Sequence, residues 1–231
     1  MSSLDSLLTR QALAKGVLRR VTNDASVGLR LRYIGTSTVT TVAATQATSV
    51  VLTTAAATDT FLFSAYSTLG ALSDAINATG RWESKVMDAL RSENPDDFFI
   101  TTADLAATTD ENGVACYDLL IDTSAAATFG CLLSPHVNFD APNGHRVSLI
   151  EVDYLVNNTA AFDTLSITKR KGTTETVLYA ATNTDNSAAS LTFASGNGKI
   201  TLGNDEELVV QFDGTVVDAA DGYIQVIGTL E

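Results

Sequence analysis

Cysteine and histidine are scarce in this sequence, with two of each among 231 residues. Two thiols are too few for a disulfide scaffold in a chain of this length. Cys116 and Cys131 both stand in apolar surroundings, which predicts that they are buried free thiols. Two histidines, His136 and His145, cannot form a three-histidine metal site, and no Cys-x-x-Cys or His-x-x-x-His spacing accompanies them. The sequence therefore predicts no metal site and no cofactor.

Long apolar runs are also missing. No stretch approaches the roughly 18 apolar residues that a membrane-spanning helix needs. The first residues do not combine a basic start with an apolar stretch, as a secretion signal does. We therefore expect a chain that is made in a cytoplasm and does not enter a membrane.

Positive charge is the third scarcity, because 14 lysines and arginines stand against 27 acidic residues and give a net charge of −13. An acidic body repels phosphate backbones, so nucleic acid is not an expected partner. The cations are concentrated at the start, where residues 1–35 hold six cationic side chains and two acidic ones. This basic leader is either an ordinary solvated helix or an arm that docks on an acidic partner surface, such as another copy of the chain.

Motifs that carry chemistry are absent as well. The sequence has no Gly-x-Gly-x-x-Gly, no Gly-x-Ser-x-Gly and no complete phosphate-binding loop. The acidic pair Glu151 and Asp153, and the acidic run 205–207, have the side chains of calcium ligands or glycosidase carboxylates. Acidic residues near turns more often keep sheets soluble and their edges unpaired. The sequence therefore predicts no catalytic residue.

Short strands separated by Gly and Asn turns dominate the last ninety-odd residues. Regular strand spacing with turn residues between is typical of a β-sandwich or barrel. We predict a jelly-roll-like β-sandwich over residues 135–231. Its expected strands cover residues 146–156, 162–169, 176–181, 190–194, 199–202, 208–212 and 223–230.

The preceding residues predict two further units. An N-terminal arm is expected over residues 1–27, with an amphipathic helix at 3–21. A small α+β domain is expected over residues 28–134, with strands at 28–35, 38–43, 49–54 and 60–63. Ser67 or Thr68 can cap a helix that carries Leu69, Leu72 and Ile76 at helical spacing. Residues 82–90 fit either a helix face or a strand. The fold class is thus mainly β.

Three features together resemble the capsid cement, or decoration, proteins of tailed bacteriophages, most of all those of phages that infect cyanobacteria. They are the basic leader, the Thr/Ala-rich unit with Thr68-Leu-Gly-Ala-Leu-Ser-Asp-Ala-Ile-Asn77 and Arg81-Trp-Glu, and the ending Asp221-Gly-Tyr-Ile-Gln-Val-Ile-Gly228. The resemblance implies a non-enzymatic virion protein on the capsid surface. It further implies a homotrimer at local threefold positions that binds and clamps the major capsid protein.

Two other functions stay open from the residues. One is a receptor-binding or carbohydrate-binding module of a phage tail or fibre. The other is a glycoside hydrolase that would depend on Glu151 or Asp153. For the structural role, the expected partner-interface residues are Leu4, Leu7, Leu8, Leu18, Arg19, Arg20, Phe98 and Phe99.

Overall fold

A computed structural model describes residues 16–22, 26–97, 105–109, 114–121, 128–133, 147–155, 162–184, 189–192, 200–203, 205–213 and 223–230. Within these ranges lie sixteen strands, one α-helix and two short 3₁₀ turns. The protein is mainly β, which confirms the predicted fold class.

The helix α1 spans Leu69–Asn77. The strands are short, and every described pair is antiparallel. In chain order they are β1 (Gly16–Thr22), β2 (Val27–Tyr33), β3 (Val39–Thr45), β4 (Ser49–Thr54), β5 (Thr58–Leu62), β6 (Trp82–Val86), β7 (Thr108–Thr109), β8 (Ala115–Leu120), β9 (Thr128–Leu133), β10 (Val147–Leu155), β11 (Phe162–Lys171), β12 (Thr174–Thr184), β13 (Ala189–Thr192), β14 (Ile200–Leu202), β15 (Glu206–Asp213) and β16 (Tyr223–Leu230).

Two sheets build the C-terminal unit. One has the order β1-β16-β10-β13, with β14 also paired to β10, and the other has the order β12-β11-β15-β9. Both sheets contribute to one core, as expected when two sheets pack face to face. Jelly-roll connectivity stays a prediction. The buried members of this core are Val21, Cys131, Leu133, Val152, Leu165, Ile167, Leu202, Leu208, Val210, Phe212, Ile224 and Val226.

Two smaller sheets and the helix build the N-terminal unit. The sheets have the orders β6-β2-β8-β7 and β3-β4-β5. Their inward side chains and one face of α1 share a second core. Its fully buried large side chains include Trp82, Leu29, Leu31, Leu52, Leu69 and Leu72.

Strand β2 shows how the sequence pattern produces this unit. Leu29 and Leu31 are completely buried, while the alternate residues Arg30 and Arg32 point to the other face and are only partly buried. Side chains alternate across a strand, so one face enters the core and the other meets water. Arg30 lies 2.6 Å from Asp118 of β8, an opposite charge directly across the strand pair. The predicted half-exposed strand is confirmed.

Helix α1 also follows its sequence signals. The Thr68 hydroxyl accepts a hydrogen bond from the Ala71 amide at 3.1 Å, which caps the first turn as predicted. Leu69, Leu72 and Ile76 are buried at helical spacing. The chain then turns at Gly80, whose φ of +66° favours glycine.

The predicted helix over residues 3–21 is wrong where the structure describes it. Residues 16–22 form strand β1, which pairs with β16 from Gly16 opposite Gly228 to Thr22 opposite Tyr223. A short helix with an internal glycine is marginal alone. The free edge of β16 offers these residues backbone hydrogen bonds and a core for Val21. Long-range pairing therefore overrides the local helical period.

Residues 82–90, which fitted either a helix or a strand, contain strand β6 at Trp82–Val86. The predicted domain limits at 27/28 and 134/135 stay predictions. Two strands on the N-terminal side of these limits, β1 and β9, hydrogen-bond to strands of the C-terminal unit.

Leu119 and Leu120 are adjacent on β8, and the structure assigns one to the buried face of the strand and the other to the exposed face. Substitution of each leucine tests this assignment. We expect Leu119→Ala to lower the free energy of unfolding by about 2–5 kcal/mol, because Leu119 is fully buried and truncation leaves a cavity. Leu120 is 42% exposed, so Leu120→Ala should cost less than about 1 kcal/mol. Chemical denaturation of both variants measures the difference, and equal losses would contradict the assigned faces of β8.

Candidate functional site

The two cores meet along residues 86–93, which we call the junction segment. It runs from the end of β6 to a point near the start of α1, where the Glu93 carbonyl accepts a hydrogen bond from the Leu69 amide. Its apolar side chains enter a small cluster of their own between the two cores. The members are Val27, Met87, Leu132 and Val209, with Leu90 packed against them.

Asp88 is the centre of this junction. Its side chain is fully buried, and both of its oxygens are used. The amide of Leu132 donates to Oδ1 at 2.8 Å and the amide of Val27 donates to Oδ2 at 3.0 Å. The guanidinium of Arg19 lies 2.7 Å from Oδ1 and donates to Oδ2 at 3.0 Å. One carboxylate therefore holds β1, the start of β2 and β9 together.

Arg19 is adapted to this position. Its guanidinium also donates to the carbonyl of Leu132. Burial acts to lower the pKa of Arg19, but the charge and hydrogen bonds of Asp88 act in the other direction, and the pKa is raised overall. Arg19 therefore stays charged as the partner of the buried carboxylate.

Arg170 of β11 forms the second buried centre and is only 3% exposed. Its Nη1 donates to the carbonyl of Val86 at 2.8 Å and its Nη2 donates to the carbonyl of Ala89 at 2.5 Å. Its Nε donates to Glu175 at 2.9 Å, and Glu207 lies 3.5 Å away. The planar guanidinium thus binds the junction segment and two carboxylates at once, which a lysine could not do.

Gln211 and Glu175 complete the set of contacts from the sandwich. The Gln211 side chain accepts from the Leu90 amide at 3.0 Å and donates to Glu93 at 2.6 Å. The Glu175 carboxylate accepts from the Arg91 amide at 3.1 and 3.2 Å. Backbone amides of the partly buried residues Leu90 and Arg91 are therefore paired with side chains of the C-terminal unit.

Gly130 of β9 allows a close approach of the Asp88 backbone. A Cβ at this position would overlap the carbonyl oxygen of Asp88. The carbonyl of Gly130 accepts a hydrogen bond from the buried hydroxyl of Ser26 at 3.1 Å. A side chain at residue 130 would push the junction segment away from β9.

A cleft of about 420 Å³ opens beside the junction segment. Its charged walls are largely paired with each other, since Lys85 lies 2.6 Å from Glu207 and Glu207 also faces Arg170. Arg91 at its rim donates to Asp74 at 2.7 Å. Because both signs of charge are present and already paired, the cleft walls give no preference for a ligand of one charge sign.

The acidic run 205–207 makes ion pairs with lysines. Lys171 lies 2.7 Å from Asp205, and Lys169 lies 2.9 Å from Glu206. The pKa of Glu206 is lowered, first by the hydrogen bond from the Gly203 amide and next by that from Lys169. These carboxylates therefore serve the turn between β14 and β15. Within the described ranges, no group of three or more His, Cys, Asp or Glu is placed to hold a metal ion.

Glu151 and Asp153 lie on β10, and both side chains are partly exposed. Asp153 accepts a hydrogen bond from Gln225 of the neighbouring β16 at 3.4 Å. His136 and His145 lie outside the described residues.

The two cysteines are free and fully buried, as the sequence predicted. Burial raises the pKa of the Cys131 thiol to about 12. A thiol with such a pKa is a poor nucleophile at neutral pH. Across the described ranges, no helix is long and apolar enough to cross a membrane.

Only three of the eight predicted interface residues fall in the described ranges, and all three make contacts inside the chain. Leu18 packs against the C-terminal core, and Arg19 binds Asp88. Arg20 is exposed, with its guanidinium 4.1 Å from the ring centre of Tyr223. The role of these side chains toward a partner stays a prediction. The residues outside the described ranges are Leu4, Leu7, Leu8, Phe98 and Phe99.

Apart from Arg19, the residues that form the junction are not among the predicted site residues. A signal was present, because Asp88 and Gln211 each interrupt an otherwise apolar run, at 86–90 and 208–212. A polar residue in an apolar run is either exposed or buried with partners. The sequence alone did not show which partners these would be.

Comparison with known proteins finds no matching family model and no similar curated protein.

Removal of the central carboxylate should loosen the junction. We expect Asp88→Ala to lower the free energy of unfolding by about 3–5 kcal/mol, because it leaves a part-buried arginine and two amides without their acceptor. Asp74→Ala removes an exposed carboxylate from its ion pair with Arg91 and should cost less than about 1 kcal/mol. Urea denaturation measures both values. Equal small losses would show that Asp88 does not hold the units together.

The close approach at Gly130 gives an independent test. We expect Gly130→Ala to cost about 1–3 kcal/mol, because the added methyl group overlaps the Asp88 backbone. Gly203→Ala is the matched control, since its methyl group would meet nothing closer than 3.6 Å. Thermal unfolding of the two variants gives the comparison, and an unchanged Gly130→Ala melting temperature would contradict the described contact.

Proposed function

We propose that this chain is a non-enzymatic virion structural protein. It is a capsid cement protein of a tailed bacteriophage that binds the major capsid protein as a homotrimer and stabilises the shell. The observation that carries the proposal is the junction, where buried ion pairs and hydrogen bonds join two β units. The resemblance of residues 68–77, 81–83 and 221–228 to cement proteins supports the same role.

Rigidity is the physical requirement of such a role. Two packed units in one chain move relative to each other by default, unless their interface is extensive. A molecule that clamps neighbouring capsid proteins resists their separation only if its two ends cannot swing apart. Here Asp88 and Arg170 fix the same segment from both sides through charge-assisted hydrogen bonds. A load applied to one unit would therefore pass directly to the other.

Repetition strengthens weak contacts in a shell. An interface of standard size buries about 1,600 Å² in total, and a trimer that engages several capsid proteins at once adds avidity to each contact. A rigid subunit loses little conformational entropy on binding, which favours association. The proposed function thus depends on the rigidity that we attribute to the buried junction.

Copy number in purified particles tests the proposal. We expect quantitative mass spectrometry of phage particles that carry this protein to give hundreds of copies per particle, in fixed ratio to the major capsid protein. A few tens of copies or fewer would contradict the cement role and favour the tail or fibre module. Absence from particles would contradict both.

A stability assay tests whether the protein strengthens the particle or is only present in it. Recombinant chain added to particles that lack it should raise the temperature at which they release DNA. Asp74→Ala should act like the wild type, and Asp88→Ala should protect less because its units are no longer held rigidly. Equal protection by both variants would show that stabilisation of the shell does not depend on the junction.

A further inference from the structure

Strand β12, with eleven residues, is the longest of the strands that the structure describes. It lies at the edge of the sheet β12-β11-β15-β9. In the part of the chain that the structure describes, β11 is the one strand that pairs with it. Its other edge thus presents a row of backbone groups that are able to pair with a further strand.

The side chains of this edge are unusual for an exposed strand. Val177 is 59% exposed and Leu178 is 42% exposed, and Thr176 and Ala180 are exposed as well. A β-bulge explains the adjacent pair, since Tyr179 is opposite Ile167 and Val177 is opposite Thr168, which leaves Leu178 as the extra residue. Residues 176–184 contain no charged residue, glycine or proline.

Three other edge strands in the described part of the fold are protected against pairing with a further strand. The edge strand β6 exposes Glu83 and Lys85 in part. On β3, the carbonyl of Val42 accepts a hydrogen bond from the Leu105 amide. Strand β9 is covered by the junction through Asp88 and Ser26. Charge and covering segments are the usual means of blocking edge-to-edge pairing, and among the described residues neither protects positions 176–184 of β12.

We propose that β12 pairs antiparallel with β12 of a second copy of this chain, about a twofold axis near Tyr179. Charge does not oppose this occupant at the contact. The whole molecule carries a net charge of −13, but residues 176–184 contain no charged residue, so two copies would pair there without like charges facing each other. The contact is separate from the threefold association proposed above and does not depend on it.

The sequence of β12 is complementary to itself in this register. Val177 stands opposite Ala181 of the partner subunit, and Leu178 stands opposite Ala180 of the partner subunit. A large side chain therefore meets a small one at each of these positions, which lets the pairs pack without crowding. The arrangement is isologous and closes at two copies instead of growing into a filament.

The pairing is expected to be reversible. Seven paired residues span about 23 Å. Such a contact is smaller than a standard interface of about 1,600 Å², so association should depend on concentration. In a particle, high local concentration would favour it.

Sedimentation velocity over a hundredfold concentration range tests the pairing. We expect the mass of the basic unit to double as concentration rises, for the wild type and for the control Leu62→Lys, which changes another exposed edge residue, 48% exposed on β5. Val177→Lys should weaken the doubling at least tenfold, because two lysines would face the same contact. Circular dichroism should show both variants folded. No doubling in the wild type, or equal doubling in Val177→Lys, would overturn the proposal.

Disulfide trapping tests the register. Cys116 and Cys131 are fully buried, so introduced cysteines are the ones that react under mild oxidation. A mixture of Leu178→Cys and Ala180→Cys should cross-link several times faster than either variant alone, because directly opposite Cα atoms lie about 4.5–5.5 Å apart, within disulfide reach. Equal rates in all three samples, or no cross-linked dimer, would exclude this pairing.

Discussion

The arrangement of this protein depends on a buried carboxylate. Asp88 has no access to water, and a bare charge in that position would be strongly unfavourable. It is tolerated because two backbone amides and one guanidinium surround it. Those donors come from three separate strands, so the carboxylate is satisfied only when β1, β2 and β9 are all in place. Correct assembly of the two units is thus a condition for burying the charge.

Buried ion pairs are not in general a source of extra stability. Apolar side chains of the same volume often serve as well or better, because two charges lose their hydration on burial. What the junction supplies is a unique geometry. Arg170 reaches the carbonyls of Val86 and Ala89 with fixed directions, and a sliding of the segment by one residue would break both bonds. An apolar contact would permit such a shift at little cost.

The strands and the helix could be predicted largely from local pattern. The alternation of apolar and charged residues predicted β2, and a capping threonine followed by leucines at helical spacing predicted α1. Both predictions worked because the buried face belongs to one continuous element. The same periodicity failed at residues 16–22, where the pairing partner lies at the other end of the chain. The junction was beyond local reasoning for the same reason, since Gln211 and Leu90 are 121 residues apart. Composition indicates that such residues need partners and does not say which.

Rigidity and association make opposite demands on polar groups in this molecule. Inside the junction, the carboxylate of Asp88 and the guanidinium of Arg170 lie where their polar atoms have partners, because a half-satisfied buried network would be worse than an apolar one. Along residues 176–184 of β12, in contrast, no charged residue is present, which is the condition that the proposed pairing with a second copy needs, because a single lysine there would keep copies apart. The neighbouring strand β11 ends in Lys169, Arg170 and Lys171, which would not meet this condition. The two adjacent strands therefore use polar groups in opposite ways, β11 to bind the junction segment through Arg170 and β12 to leave an uncharged edge.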